Sequence, residues 1–227
     1  MQKVFFATPA YDGNCHVFMV SSLIAEQTLL REAGIDSHWE PYAGCCYLPV
    51  ARNILVDRFL KSDCTDMIFV DADIQWEPGA TMKLLKHDVN FIAGLYPFKT
   101  PELGFPCRMD ESKVDPKTGL IEIEGVPTGF LRLTRNVFTR MNANFINMKV
   151  VDQRDNSEYI CYFDTAKLGT TWWGEDLHFC NLWRNIGGKI WVEPNITFHH
   201  HGMAGFRGNF LEYVDEMGKP GKAVVNE

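Results

Sequence analysis

Three clusters of residues in this chain could do chemistry. The first is Asp71-Ala72-Asp73, directly after the four apolar residues Met67-Ile-Phe-Val70. In extended backbone, residues i and i+2 point to one face, so both carboxylates would converge at the strand's carboxyl end. Crowded like charges repel. A hard divalent cation, Mg²⁺ or Mn²⁺, would relieve that repulsion and take phosphate oxygens as well. The second cluster is Glu175-Asp176, beside Trp172-Trp173. A pyranose has an apolar face and hydroxyl edges, so paired aromatics next to carboxylates suit a sugar platform. The third is His199-His-His201, whose imidazoles could complete an aspartate-based metal site. Each cluster also has a purely structural reading: turn acids before Pro78, helix N-terminal acids, and hydrogen-bonded histidines.

The elements that must position these residues alternate. Lys3 to Thr8 reads as a strand, followed by a loop Pro9-Ala-Tyr-Asp-Gly13. His16 to Ala33 reads as a helix stopped at Gly34, and Ile35 to Tyr42 as a second strand. Leu48 to Leu60 reads as a helix with Val50, Ile54, Leu55 and Phe59 on its apolar stripe and Arg52, Asn53 and Asp57 off it. Met67 to Val70 is the central strand. Pro78 opens a helix to about Lys86, and Phe91 to Leu95 is a short strand. This alternation implies a parallel, doubly wound sheet whose ligand crevice lies at the strand carboxyl ends.

The pattern then changes. Residues 98–127 are rich in turns, with a hairpin across Lys113 to Glu124. Val126 to Leu133 reads as a strand, and Thr134 caps a short helix. Residues 145–168 read as a polar, flexible flap. A helix follows from Glu175 to Gly187, and Lys189 to Pro194 reads as the last strand. The Gly-rich segment after Met203 reads as a mobile tail closing over a ligand, frayed beyond Lys219. Arg132, Arg135 and Arg140 read as solvated surface. We divide one domain of residues 1–227 into a nucleotide-binding half (1–97), a sugar and acceptor half (98–203) and the tail (204–227).

Composition narrows the classes. The formal net charge of −7 argues against a general polyanion-binding surface, and no run of 18 apolar residues offers a membrane span. Met1-Gln-Lys leads straight into apolar Val4-Phe-Phe6, which is too short for a signal peptide. The 7 cysteines are odd in number and form no C-x-x-C pair, which suits reduced thiols in a cytoplasmic protein.

The order of the first-strand loop, Ala51-Arg52-Asn53, Asp71-x-Asp73, Thr128-Gly129-Phe130, Gly174-Glu175-Asp176 and His200-His201-Gly202 resembles nucleotide-sugar glycosyltransferases of the GT-A fold. Compact viral, phage and bacterial members are the nearest in type, and the resemblance spans residues 3–203. It implies a single Rossmann-like α/β domain with a central, mostly parallel sheet flanked by helices and an elaborated C-terminal half. It implies transfer of a sugar from a nucleotide-diphosphate donor, a UDP-sugar foremost, with Mn²⁺ or Mg²⁺ as cofactor. Thr8, Pro9, Ala10 and Tyr11 would line the nucleoside pocket, and Arg52 would approach the diphosphate. Asp71 would contact ribose or metal, Asp73 would hold the cation, and His200 would be the late metal ligand, with His201 its runner-up. Thr128 and Gly129 would border donor sugar and acceptor, with Trp173 as a platform. Asp176 would be the base, Glu175 second, if the reaction inverts; a retaining enzyme would use these acids to orient the acceptor. The acceptor could be a glycan, a protein, a small molecule or a modified DNA base. Two other classes share the fold: a nucleotidyltransferase making sugar nucleotides, and a binder of nucleotide sugars without turnover. The former would carry a basic Gly-rich loop where this chain has Pro9-Ala-Tyr-Asp-Gly13.

Overall fold

The computed structural model describes residues 2–109, 112–145, 148–153, 155–202 and 204–217. The first half runs β1 (Lys3–Ala10), α1 (Val17–Glu32), β2 (Asp36–Ala43), α2 (Leu48–Lys61), β3 (Asp66–Val70), β4 (Ile74–Trp76), α3 (Ala80–Leu85) and β5 (Phe91–Ala93). Next come β6 (Lys113–Val114), β7 (Ile121–Ile123), β8 (Phe130–Thr134), α4 (Arg135–Asn144), β9 (Lys149–Val151) and β10 (Glu158–Ile160). The chain continues through β11 (Ala166–Leu168), β12 (Thr171–Trp173), α5 (Glu175–Asn185), β13 (Ile190–Val192), β14 (Thr197–His201), β15 (Gly205–Asn209) and α6 (Phe210–Met217).

The central sheet has the order β2-β1-β3-β8-β5-β13-β7-β6. Strands β1, β2, β3, β5 and β13 share one direction, while β8 and β7 run against them. This is the mixed α/β, Rossmann-like layout that the GT-A resemblance implies. A smaller sheet, β15-β14-β4, stands at the carboxyl end of β3.

Strand β3 is buried along its whole length, as its unbroken apolar run requires. Its side chains alternate between two cores. Met67 and Phe69 join Leu55, Val56 and Phe59 of α2 on one face. Ile68 and Val70 join Met19, Leu23 and Leu30 of α1 on the other. Helices therefore cover both faces, and the carboxyl end of β3 opens between them.

Several boundaries differ from the sequence reading. Strand β1 runs on through Pro9 to Ala10, because β3 pairs only with Val4–Ala7; beyond that Pro9 faces β2 alone, where a missing N–H is tolerated. Strand β13 is not the last. Two more strands and a helix follow, so Gly205–Met217 is built structure rather than a loose tail. Phe210 and Tyr213 pack on Phe105 at ring separations of 5.1 and 5.2 Å. Residues beyond Lys219 lie outside the described region. Thr134 sits at the N-terminus of α4 without capping it; its hydroxyl donates to Asn90 Oδ1 at 2.7 Å instead.

The arginines are not solvated surface. Arg132 is buried within β8, donating to Asp66 and to the carbonyls of Leu84, His87 and Val89. Arg135 donates to the last carbonyls of α2, Phe59 and Leu60 among them. Arg140 lies over the Trp183 ring and donates to Ile186 O. Nor is 145–168 a free flap. Tyr162 and Phe163 are buried, and both their amides donate to Asn53 Oδ1 at 2.8 Å. Arg52 and Asn53, read as lying off the apolar stripe of α2, are 3% and 1% exposed. They face the core because each has polar partners waiting there.

Candidate active site

The chain turns at once after β3. Ile74 N donates to Asp71 O, so Asp71 and Asp73 lie on a tight turn rather than on extended backbone. The turn is held from two sides. His16 N donates to Ala72 O at 2.7 Å, and His201 N donates to Asp73 O at 2.9 Å. The His16 and His201 rings stack, with centroids 4.0 Å apart. The two carboxylates take different cationic partners, Arg52 and Lys99, and Asp71 still feels the charge on Asp73.

Asp71 faces inward. Its Oδ1 lies 3.5 Å from Arg52 Nη2, and its Oδ2 accepts from Tyr96 Oη at 3.4 Å. Gly129 lies alongside, and Asp71 N donates to Gly129 O. A Cβ on Gly129 would stand 2.5 Å from Tyr96 Oη and 2.6 Å from Asp71 Oδ2, so only glycine admits this approach. Burial pushes the Asp71 carboxyl above the usual range; Arg52 opposes the rise and the charge on Asp73 adds to it.

Arg52 joins this carboxylate to the start of α5, where it forms an ion pair with Glu175. Asp176, the next residue, accepts from Leu177 N at 2.7 Å. Burial raises the Asp176 carboxyl, and the adjacent Glu175 charge raises it further against the pull of Arg52. The Arg52 Nε and the Thr128 hydroxyl are buried in this region without a hydrogen-bond partner. Both atoms are closed off from solvent.

Asp73 faces outward and is paired with Lys99. His200 Nε2 lies 3.6 Å from Asp73 Oδ1, while His200 Nδ1 is 2.9 Å from Pro97 O. A carbonyl only accepts, so Nδ1 must carry the proton. In the neutral ring Nε2 then aims its lone pair at a carboxylate, an arrangement that a proton or a cation between them would relieve. Burial opposes it, yet His200, when Nε2 carries a proton, and Lys99 bring the Asp73 carboxyl down to about 2. The donor set of carboxylate oxygen and imidazole nitrogen fits Mn²⁺ better than Mg²⁺, which prefers oxygen ligands alone. It is not ready-made. Among the described residues, no three His, Cys, Asp or Glu side chains converge to hold a metal ion. The expected trio of Asp71, Asp73 and His200 is split, because Arg52 and Tyr96 draw Asp71 inward and Lys99 occupies Asp73. His201, the alternative ligand, is engaged elsewhere: its Nε2 meets Gln75 Oε1 at 2.8 Å.

The remaining expected residues scatter. Thr8 is fully buried, with its hydroxyl accepting from Trp39 Nε1 at 3.0 Å, and Ala10 is buried too. Only Tyr11, 65% exposed, could stack on a base at that edge. The two tryptophans do not form one platform. They are successive residues of β12 and point apart. Arg108 covers the Trp173 ring at 4.2 Å, whereas Trp172 is exposed. Sequence reading missed Tyr96 and Lys99. Their signal was position: Tyr96-Pro97-Phe98-Lys99 follows β5, whose end opens on the same crevice as β3. It also missed His16 and Gln75, which act through the turn rather than at it.

No known protein family and no curated protein sequence matches the chain. Solved structures do. A197 from STIV superposes with a TM-score of 0.56 at 18% identity, over 89% of this chain and 86% of that one. The two share a fold. A Drosophila β1,4-galactosyltransferase 7 mutant in complex with manganese, UDP-Gal and xylobiose aligns over 100% of this chain and 78% of its own, at a TM-score of 0.47 and 14% identity. The inositol-1-phosphate CTP transferase from T. maritima aligns over 85% of this chain and 84% of its own, at 0.43 and 10% identity.

Proposed function

We propose that the chain is a metal-dependent glycosyltransferase that moves a sugar from a nucleotide-diphosphate sugar, a UDP-sugar foremost, to an acceptor hydroxyl. The observation that carries this reading is the Asp73–His200 pair, with Nδ1 of His200 spent on Pro97 O and its Nε2 left facing the carboxylate. Asp73 and His200 would hold the cation, and Lys99 would leave Asp73 and pair with a phosphate oxygen instead. The bound ion would supply a Lewis acid for the charge that develops on the departing diphosphate. Arg52, buried and already bridging Asp71 and Glu175, adds charge-assisted hydrogen bonds to that charge. Asp71 would contact the ribose or help to hold the ion. Thr128 would border the donor sugar.

Of the two acids on α5, Asp176 suits the base. Its raised pKa brings its basicity toward neutral pH, while the ion pair with Arg52 ties Glu175 to an orienting part. The test is nucleotide release from a panel of UDP-, GDP- and CMP-sugars with Mn²⁺, Mg²⁺ or chelator, in wild type and Asp73→Asn. We expect release from one donor that needs metal and falls about 100-fold or more in the variant, the scale on which electrostatic stabilisers act. Silence across the panel, with no nucleotide binding by calorimetry, would overturn the reading. Formation of a sugar nucleotide from nucleoside triphosphate and sugar phosphate would point to the nucleotidyltransferase class instead.

A further inference from the structure

A cation already sits on Asp73. Lys99 Nζ donates to Oδ2, while His200 Nε2 faces Oδ1 from 3.6 Å. A fixed piece of backbone delivers the ammonium there. Phe98 N donates to Gly104 O at 2.8 Å, and Pro97 O accepts from His200 Nδ1 at 2.9 Å. A Cβ on Gly202 would stand 3.2 Å from Lys99 Cδ, so the aliphatic stem lies along a residue with no side chain to displace it. Residues 97–99 therefore do two things at once. They fix the tautomer that leaves the His200 Nε2 lone pair open to a metal, and they set a competing cation on the neighbouring carboxylate.

The competition has a sign. Paired with Lys99, Asp73 offers a divalent ion little net attraction, and an ion held beside His200 would meet an ammonium of like charge. The Lys99–Asp73 pair is more than a third exposed on both sides and is weak by itself. The larger effect is the repulsion between ammonium and metal. Nor is the rest of a coordination sphere at hand. Among the described residues, no third His, Cys, Asp or Glu joins Asp73 and His200. An ion that takes about six ligands would draw the others from water or from phosphate oxygens. A diphosphate supplies both things that are missing: oxygens for the metal and an anion for the displaced ammonium.

Resting on the glycosyltransferase reading, we propose that Lys99 is a built-in counter-cation that makes metal and nucleotide bind cooperatively. It holds metal affinity low while the site has no donor, and moves from Asp73 to the diphosphate when the two arrive together. Metal and nucleotide then strengthen each other by one factor, as linkage requires. Without donor, the site does not fill with stray divalent ions.

Binding can be read without turnover. Calorimetry and the electron paramagnetic resonance of free Mn²⁺ would titrate wild type, Lys99→Met, Lys99→Ala, Lys99→Arg and Asp73→Asn with Mn²⁺ alone, then with UDP, GDP or CDP present. Each titration is corrected for the metal that the nucleotide binds without protein, and melting curves check that each variant folds. Without nucleotide, Mn²⁺ should bind Lys99→Met and Lys99→Ala about fivefold or more tightly than wild type, the scale of a modest coupling between sites. Lys99→Arg, which keeps the charge, should stay near wild type, and Asp73→Asn should bind Mn²⁺ most weakly. Nucleotide should then tighten Mn²⁺ binding more in wild type than in Lys99→Met or Lys99→Ala. Equal Mn²⁺ affinities in wild type, Lys99→Met and Lys99→Ala, an equal gain from nucleotide, or no Mn²⁺ binding in any of them would overturn the proposal. Nucleotide release from sugar donors is measured separately. Its absence would sink the glycosyltransferase reading, whereas equal Mn²⁺ affinities would sink the coupling and leave that reading standing.

Discussion

At Gly129 a single hydrogen atom separates a working cleft from a blocked one. Any Cβ there would meet both the Tyr96 hydroxyl and the Asp71 carboxylate at under 3 Å. Gly129→Ala should therefore push Asp71 off Arg52 and cost about 1–3 kcal/mol from overpacking. Calorimetry should show nucleotide affinity falling about tenfold or more. Adding Tyr96→Leu, which removes both the hydroxyl and the ring edge and leaves only the contact with Asp71 Oδ2, should recover part of the stability; a double variant no better than the single would count against the steric account. This glycine stood out in the sequence only because it followed Thr128 ahead of an apolar strand. That it serves Asp71 depends on β8 lying beside β3 and on Tyr96 arriving from β5, neither of which local pattern encodes.

Among the elements, α2 carries the most. Its Asn53 accepts two amides and donates to Phe163 O at 2.7 Å, which anchors the stretch leading from β10 toward α5. Asn53→Ala should leave those buried backbone groups unpaired and cost about 3 kcal/mol in urea unfolding. Asn53→Asp, which keeps the acceptor but loses the donor, should cost less. The helix itself was legible from its apolar spacing. The polar residues on its inner face were not, because their partners lie 109 and 110 residues away. Helix α3 shows a similar debt. It has no side-chain cap of its own, and Glu26 of α1 accepts from Gly79 N and Thr81 N, and from Trp76 Nε1. Burial raises the Glu26 carboxyl above 4.5, and those donors oppose the rise. A raised acid holds its proton longer folded than unfolded, so its contribution falls as pH climbs from about 4.5 through the raised value. Urea midpoints across that window should decline more steeply in wild type than in Glu26→Gln; parallel slopes would exclude Glu26 as the source.

Over the whole molecule, the core is continuous from the central sheet to the C-terminal helix. Phe210 is 1% exposed and packs on Phe105. Phe210→Ala should lower stability by about 3–5 kcal/mol, readable as a fall in melting temperature. An unchanged melting temperature would restore the loose tail that the Gly-rich sequence suggested. That stretch misled because its glycines read as flexibility. Gly208 instead sits where a Cβ would press on Phe105, Pro97 and Leu103 at 3.0–3.2 Å. The fold class, by contrast, was legible from the alternation of short apolar runs and helical spacing. The candidate site was placed by the same reading, because Asp71 follows a strand buried along its whole length.

The turn bearing Asp71 and Asp73 hangs between the amides of His16 and His201. During synthesis, the first of these supports is made before the turn and the second well over a hundred residues after it. A nascent chain would carry both aspartates long before it could hold them in place. If the proposed function holds, competence to bind donor should then arrive late, when β14 docks against β4. A stalled or partly made chain would be spared from engaging a charged metabolite while its cores are still exposed.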